Sequence, residues 1–240
     1  VTTVYEKPWE RVLLLKLRDA NPFFHFIEGL WMLAGRNDLK PLTHFVKSME
    51  NFSDDGETLW GAYGHRWKSY FHKDQIKLVI EMLKANPDDR RCVLQMWDAN
   101  KDLNNRSNDM LWGAYGANAV HMSMLQEYIA SHLRVTIGTY RQVSDSFHVY
   151  HNEVWERVKG IEINPWTYSE IKNPYDLLEG TVYTNFMTRP EAFDWELDRF
   201  FSMDFYEPYE DAWENPGFKD IAIPMLKTFN AHKERDYAKA

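Results

Sequence analysis

The sequence predicts an α+β fold, in which helices and strands are mixed rather than strictly alternating. Three observations lead to this prediction. Apolar residues recur at helical spacing in several segments, and two other segments are short, apolar and partly β-branched, as strands are. Hydrophobic residues make up 44% of the 240 positions and aromatic residues 15%, which indicates a substantial core or an aromatic-lined cleft.

Five segments have the pattern of helices. The clearest is DQIKLVIEMLKANP, where an apolar stripe runs between a possible cap at Asp74 and a stop at Pro87. In NPFFHFIEGLWMLA most positions are apolar, which indicates a more buried helix. The predicted helices are Asn21–Ala34, Pro41–Phe52, the stripe after Asp74, Ala117–His132 and Pro224–Lys233.

Two segments are predicted to be strands. RCVLQMW, Arg91–Trp97, is short and apolar, and LRVTIGTYRQV, Leu133–Val143, alternates until Gly138 interrupts it as a bulge would. Beyond Gly160 the pattern becomes irregular and rich in Pro, acidic and aromatic residues. No linker composition separates this part, so we expect one domain over 1–240 with a divergent C-terminal third, about 160–240.

Charge and cysteine content narrow the class of protein. A formal net charge of −8 argues against broad binding to nucleic acid or to anionic membranes, because both need a cationic surface. Cys92 is the single cysteine, so no intramolecular disulfide can form and we expect a cytoplasmic protein. The most apolar stretch is too short to span a bilayer. Because the chain begins with Val1, we expect further residues ahead of it.

The hexapeptide LWGAYG occurs twice, at Leu59–Gly64 and at Leu111–Gly116. The flanking residues differ and there is no third copy, so the pair is not a repeat array. We interpret the copies as two turns in which glycine permits a close backbone approach while Trp and Tyr form an apolar wall with a polar tip. The alternative is that both are simply packed aromatic turns.

Arginines in DDRRC and NRSND are candidates for binding a phosphate, which suits the fixed donor fork of a guanidinium. Neighbouring residues on a strand face opposite sides, so Arg90 and Arg91 could share one phosphate only at a turn or strand end. The ordinary alternative is that these arginines are solvated surface charges.

Two further features suggest a ligand. In SFHVYHN, His148 and Tyr150 could bind the hydroxyl groups of a sugar, whereas two histidines three residues apart without a third ligand do not predict a metal site. Glu28 stands in an apolar helix, where a carboxylate either pairs with a donor or has a raised pKa suited to proton transfer. These residues indicate a phosphate-bearing, sugar-containing ligand in an aromatic cleft, but they do not name a reaction.

Taken in order, the motifs resemble those of the thymidylate synthase family, which includes the pyrimidine nucleotide hydroxymethylases. EGLWMLAGRN resembles the family's E-L-L-W-F-L-x-G-x-x-N helix, and GAYGHRW resembles G-P-V-Y-G-x-Q-W. DDRRCVLQMW resembles D-S-R-R followed by a strand. NRSNDMLWGAYGAN resembles R-S-x-D-x-x-L-G-x-P-F-N, and SFHVYHN resembles H-x-Y-x-N. The two LWGAYG turns thus resemble two different elements that meet at one nucleotide cleft.

The resemblance implies a thymidylate synthase-like fold, a mixed β-sheet with flanking helices, and a homodimer formed through the sheet. It implies a dUMP-like nucleotide as substrate and 5,10-methylenetetrahydrofolate as cofactor. Glu28, Tyr63 and Asn118 would be catalytic, and Asn118, which can match uracil N3–H and O4 together, favours dUMP. The other implied substrate contacts are Arg106, Ser107, Asp109, His148 and Tyr150, with Arg90 and Arg91 from the partner subunit; the implied folate contacts are Trp31, Asp109, Trp112 and Gly113.

The sequence also departs from the family pattern. The family's nucleophile is a cysteine in a P-C-H segment between the arginine-bearing strand and R-S-x-D, whereas only DANKDLNN lies between Trp97 and Arg106, and Cys92 does not match P-C-H. We therefore expect a nucleophile-bearing segment that is absent from these 240 residues. The resemblance places conversion of dUMP to dTMP first. A dUMP hydroxymethylase and a catalytically inactive nucleotide-binding homologue are the alternatives.

Overall fold

The computed structural model describes residues 1–9, 11, 21–102, 113, 116–144, 147–148, 159, 185–209 and 213–237. Within these ranges helices predominate, and two short strands pair with each other. None of the helices described there combines the length and the apolarity needed to cross a lipid bilayer.

The first half of the chain contains most of the predicted helices. Helix α1, Pro22–Leu33, starts where the Asn21 side chain accepts a hydrogen bond from Phe24 N at 3.0 Å, with proline in its first turn. Helix α2 covers Lys40–Phe45, and α3, Tyr63–His65, continues into a π-helical turn, Arg66–Tyr70. Helix α4, Gln75–Ala85, has the predicted Asp74 cap, whose carboxylate accepts from Lys77 N at 2.9 Å.

The second half adds three longer helices. Helix α5 covers Asn118–Leu133, which confirms the predicted segment Ala117–His132 within one residue at each end. Helix α6 is Pro190–Ser202, and α7, Ile223–Tyr237, follows a π-helical segment, Gly217–Ala222. The predicted helix Pro224–Lys233 therefore lies inside a longer one.

The sheet in the described residues is a single antiparallel pair. Strand β1, Thr2–Tyr5, pairs with β2, Tyr140–Val143, with Thr2 opposite Val143 and Tyr5 opposite Tyr140. The Tyr5 and Tyr140 rings stack with their centroids 5.1 Å apart. Only the last four residues of the predicted strand Leu133–Val143 are thus paired as a strand among the described residues. Leu133 ends α5 instead, and Gly138 O accepts a hydrogen bond from the Gln126 side chain at 3.0 Å.

The predicted strand Arg91–Trp97 is wrong for this structure. Exposed and half-buried residues alternate along it, as on a strand, but its backbone groups bond to side chains rather than to a neighbouring strand. Gln95 N donates to Gln75 Oε1 at 2.7 Å, and Gln75 Nε2 donates to Gln95 O at 3.0 Å. A strand needs an adjacent backbone as its partner, and the described residues supply none at this position.

The predicted helix Pro41–Phe52 is divided into two pieces. Helix α2 ends at Phe45, Val46 is extended with φ −137°, and Lys47–Phe52 then forms a 3₁₀-helix. The division turns the chain, and the 3₁₀-helix continues into a loop built around Asp55, which accepts hydrogen bonds from Glu57 N at 2.8 Å and Thr58 N at 2.7 Å.

A single hydrophobic core joins the first helices to the C-terminal ones. Helix α1 packs on α5 and α2, and the buried phenylalanines of the 185–237 region lie in the same cluster as Leu30 and Met124. Two fully buried carboxylates connect these parts. Glu127 accepts from Phe186 N at 3.0 Å and pairs with Arg11, while Glu196 accepts from Asn215 Nδ2 at 2.6 Å and from Asn215 N at 3.1 Å. Each thereby satisfies buried donors that apolar packing alone would leave unpaired.

Candidate active site

A cavity of about 400 Å³ lies between α1, the 3₁₀-helix and its loop, α3 and the start of α5. Four residues that the sequence analysis selected line this cavity together: Glu28, Trp31, Tyr63 and Asn118. Phe52 and Trp60 add further aromatic wall, so the cleft has the aromatic lining that the composition suggested. Helix packing has therefore assembled these side chains from three separate segments of the chain.

Glu28 has a buried partner that the sequence analysis did not identify. Its Oε2 lies 3.1 Å from Nε2 of His121, and the two side chains are 17% and 4% exposed. The angles of this contact do not make a hydrogen bond, so each of the two atoms is buried without a hydrogen-bond partner. Glu28 therefore lies at ion-pair distance from an imidazole, with an oxygen that remains able to bond to a ligand.

His121 reaches Glu28 because α1 and α5 pack closely. The two helices meet at Gly29, where an added Cβ would lie 2.5 Å from Met124 Sδ and 3.6 Å from the His121 ring. His121 also follows Asn118 by three positions, which puts both side chains on one face of α5. The available sequence signal was a histidine at that spacing within an otherwise largely apolar helix.

Tyr63 is positioned by a glycine in the first LWGAYG copy. An added Cβ at Gly64 would lie 1.9 Å from the carbonyl oxygen of Met32, whereas at Gly61 it would meet nothing within 4 Å. Gly64 therefore allows α3 to touch the end of α1, close to Glu28. Burial raises the pKa of the Tyr63 hydroxyl, and the negative charge of Glu28 raises it further. Tyr63 is thus kept as a neutral phenol.

Asn118 lies where this cavity meets a second one of about 500 Å³. Tyr63 and Asn118 line both cavities, and the second is otherwise formed by Met96 and by residues of α5 and β2 that include Gln126 and Gln142. Trp31 forms the floor of the first cavity, where it is 2% exposed and its indole N–H donates to Asp38 O at 3.0 Å. The two adjoining cavities thus share the Asn118 amide and the Tyr63 phenol in their linings.

Arg90 and Arg91 do not line either cavity. Both are exposed at the turn after α4, and the Arg91 side chain is 82% exposed. Arg91 Nε and Nη2 donate to the Asp89 carboxylate at 3.0 and 2.7 Å, which lowers the pKa of Asp89 to about 2. Within one subunit these two arginines are therefore surface residues away from the cleft.

The remaining predicted residues are only partly described. His148 is half-buried and lines neither cavity, and Gly113 is half-buried with undescribed residues on both sides. The others lie outside the described residues: Arg106, Ser107, Asp109, Trp112 and Tyr150.

The first cavity suits a flat heteroaromatic group with polar edges. Its volume is within the range of small-molecule sites, and its walls include Trp60 and Phe52, with the polar side chains of Asp54, Tyr63 and Asn118 beside them. The pterin ring of a reduced folate has this chemistry. The residues present therefore fit a folate, which the aromatic walls, including Trp31, would hold.

The fold and the site together are those of an enzyme: a carboxylate, Glu28, and an imidazole, His121, lie side by side in a cleft with aromatic walls. The thymidylate synthase family model matches residues 10–103. Over 98% of the chain, the sequence is 45% identical to a deoxyuridylate hydroxymethyltransferase of Pseudomonas phage M6, and it spans 74% of that relative. The chain belongs to the thymidylate synthase family. It is a one-carbon transferase of this family, whose members use 5,10-methylenetetrahydrofolate.

Other relatives agree on the family. A deoxyuridylate hydroxymethyltransferase of Bacillus phage SP01 is 36% identical over 61% of this chain and 48% of its own length. A thymidylate synthase of Buchnera aphidicola is 27% identical over 58% of this chain and 64% of its own length. The crystal structure of thymidylate synthase from T4 phage has the same fold, with a TM-score of 0.54, 18% identity and coverage of 82% of this chain and 81% of that one.

Proposed function

We propose that this enzyme transfers a one-carbon unit from 5,10-methylenetetrahydrofolate to C5 of dUMP and releases 5-hydroxymethyl-dUMP. The observation that carries the proposal is that Tyr63 and Asn118 line two adjoining cavities and that Glu28 lines one of these cavities with them. Two relatives that are 45% and 36% identical are named deoxyuridylate hydroxymethyltransferases, which favours this product. Formation of dTMP, placed first by the sequence resemblance, is the second candidate, supported by the match to the thymidylate synthase family model.

Product analysis separates the two candidates. Purified enzyme is incubated with dUMP and methylenetetrahydrofolate, and the nucleotide and folate products are separated by chromatography. The proposal expects hydroxymethyl-dUMP together with tetrahydrofolate. Production of dTMP with an equal amount of dihydrofolate would instead establish the synthase reaction.

Asn118 is proposed to recognise the pyrimidine. Its amide supplies one acceptor and two donors, and so can bond uracil N3–H and O4 together. The position of Asn118 in the lining of both cavities supports this role. An Asn118→Asp variant is expected to shift preference from dUMP toward dCMP. A wild-type enzyme that already prefers dCMP would contradict the assignment.

Glu28 is proposed to move protons at O4 and C5 of the pyrimidine through ordered water. General acid–base catalysis of this kind typically contributes about 10²–10⁴-fold to the rate. Glu28→Gln preserves shape and removes the titratable proton, so we expect a loss of turnover much larger than any loss of nucleotide affinity. Equal losses in both would point to a binding role.

Arg106, Ser107, His148 and Tyr150 are proposed to bind the phosphate and the deoxyribose, with Asp109 near the base and folate. The resemblance supports these roles. In the same way, Trp31, Trp112 and Gly113 are proposed to contact the folate. Replacement of Arg106 by alanine is expected to raise the KM for dUMP at least tenfold with a smaller effect on the KM for folate, as loss of a charged phosphate contact should.

A homodimer is proposed, in which Arg90 and Arg91 reach the phosphate in the partner's site. The exposure of the Arg91 side chain supports the dimer. The Arg91–Trp97 segment also supports it, because this segment has no neighbouring strand among the described residues and exposes apolar side chains: Val93 is 68% exposed and Trp97 46%. Mixing an inactive Arg90→Ala/Arg91→Ala chain with an inactive Glu28→Gln chain should restore part of the activity through hybrid dimers, because one of the two sites then has Glu28 together with the partner's intact arginines. A fully active enzyme that sediments as a monomer in the analytical ultracentrifuge would contradict the dimer.

The nucleophile is proposed to lie in a segment between Trp97 and Arg106 that these 240 residues lack. Two observations support this: the family match ends at residue 103, and the alignment with the Pseudomonas phage relative extends over 264 positions, more than this chain contains. We expect the protein from its native source to have an intact mass above 28.6 kDa and to form a covalent adduct with 5-fluoro-dUMP and folate. A mass of 28.6 kDa without an adduct would favour an inactive nucleotide-binding homologue.

A further inference from the structure

We propose that His121 holds the water molecule whose oxygen becomes the hydroxyl group of the product, and that it does so jointly with Glu28. This inference rests on the proposed hydroxymethyl transfer. It assigns to a residue of α5 the step that distinguishes a hydroxymethylase from a synthase, namely delivery of water to the transferred carbon.

The geometry of the pair leaves a place for one bridging molecule. His121 Nε2 and Glu28 Oε2 are 3.1 Å apart, yet both are buried and without a hydrogen-bond partner because neither points correctly at the other. Such atoms carry an unfavourable desolvation cost unless something else bonds to them. A water molecule in contact with both would satisfy the two atoms together, and buried waters typically occupy such polar positions.

The proposed water would lie on the cavity side of the pair, because Glu28 and His121 both line the cavity. Met32, Leu59 and Ala62 are apolar parts of the wall, so they offer no competing side-chain hydrogen bonds. Tyr63 and Asn118 line the same cavity, and Asn118 is one turn before His121 on α5. A pyrimidine bound at Asn118 would therefore lie in the same cavity as the histidine.

The proposed step balances as a conjugate addition. After folate has left, the carbon attached at C5 is an exocyclic methylene, conjugated with the C4 carbonyl, while the nucleophile's thiolate is still bonded at C6. The water oxygen bonds to that methylene carbon, its proton passes to the His121–Glu28 pair, and the electron pair of the C=C bond moves to O4. Collapse of this enolate breaks the C6–S bond, which releases the thiolate and restores the C5=C6 double bond.

Histidine suits this step because neutral imidazole can accept a proton near neutral pH while the carboxylate stabilises the resulting cation. A synthase has the opposite requirement, since hydride transfer to the same carbon succeeds only if water is kept away. The pair therefore determines which product forms. An imidazole at position 121 favours addition of water, whereas an apolar side chain at position 121 would leave the water without its binding partner.

The test compares His121→Leu, His121→Gln and the matched control His25→Leu. His25 is also buried, 6% exposed, and its ring centroid is 6.4 Å from that of His121, but it does not line the cavity. For His121→Leu we expect kcat for hydroxymethyl-dUMP to fall about 100-fold or more, with the KM for dUMP within about threefold of wild type. A glutamine at position 121 can hold the water without accepting its proton. The kcat of His121→Gln should therefore be about tenfold higher than that of His121→Leu, and still well below that of the wild type. His25→Leu should retain wild-type kcat.

A second measurement does not depend on turnover. Crystal structures of the ligand-free wild-type and His121→Leu proteins should show an ordered water about 3 Å from both Nε2 and Oε2 in the former and none beside Glu28 in the latter. Unchanged kcat in His121→Leu, or a wild-type structure without this water, would overturn the inference while leaving the hydroxymethylase proposal standing. If wild-type enzyme releases dTMP, the proposed function itself is wrong and this inference falls with it.

Discussion

The two glycines of the first LWGAYG copy should differ sharply in their tolerance of alanine. At Gly64 the new Cβ would lie 1.9 Å from Met32 O, 2.5 Å from Met32 C and 2.6 Å from Met32 Cα. These are backbone atoms, which cannot rotate aside as a side chain can, so α3 must move away from α1 by roughly 1 Å or more to restore normal contact. At Gly61 the same methyl group meets nothing within 4 Å.

The expected cost follows from this displacement. Overpacking typically destabilises by about 1–3 kcal/mol, and the rigidity of the contact places Gly64→Ala at about 3 kcal/mol. For a domain of this size that corresponds to a fall in Tm of roughly 6–12 °C. Because Tyr63 moves with α3, we also expect about a 100-fold loss of kcat, the effect that a misplacement of this size can have on catalysis. Gly61→Ala should be neutral or slightly stabilising, by less than about 1 kcal/mol.

Thermal and urea unfolding of both variants, followed by circular dichroism, measure the stability difference, and steady-state kinetics measure the loss of turnover. Gly61→Ala is the internal control, since it makes the same chemical change within the same motif. If Gly64→Ala unfolds within 1 °C of Gly61→Ala, the close approach of α3 to α1 described here is incorrect.

Three further outcomes are expected. Glu196→Ala leaves the buried Asn215 N–H donors without an acceptor and should cost about 3 kcal/mol by urea unfolding. Glu191→Ala removes only an exposed pair with Arg134 and should leave the urea midpoint nearly unchanged; equal losses in the two variants would refute the distinction. Burial lowers the pKa of His44 below its ordinary 6.5, so the unfolded chain takes up the proton first. The His44 contribution to stability is therefore complete above pH 6.5 and falls as the pH drops through and below it, and His44→Gln should flatten this part of the stability profile; an unchanged slope would contradict it. Lys101→Met removes a cation 3.9 Å from the Trp60 ring and should lower stability by about 0.5–1 kcal/mol, with no change expected if the contact is not formed in solution.

Local sequence patterns determined most of the helices. Asn21 before Pro22, and Asp74 before an apolar stripe, are signals that act within one helical turn, and the structure forms α1 and α4 where they predict. The motif resemblance likewise selected Glu28, Tyr63 and Asn118, which the structure brings to one cavity. In these cases the information lies in residues that are neighbours along the chain.

Only the tertiary structure decided the rest, because the deciding contacts join distant segments. His121 became a candidate when the packing of α1 on α5 placed it 3.1 Å from Glu28. The Arg91–Trp97 segment has the alternation of a strand, but pairing requires a neighbouring backbone, and the Gln75 side chain occupies its hydrogen-bonding groups instead. The first copy of LWGAYG shows the same limit. Its sequence contains two glycines, but only the folded structure shows that a Cβ at Gly64 would meet a backbone carbonyl while one at Gly61 would meet nothing within 4 Å. Propensity and capping act locally, whereas pairing and close packing depend on which surfaces the folded chain brings together.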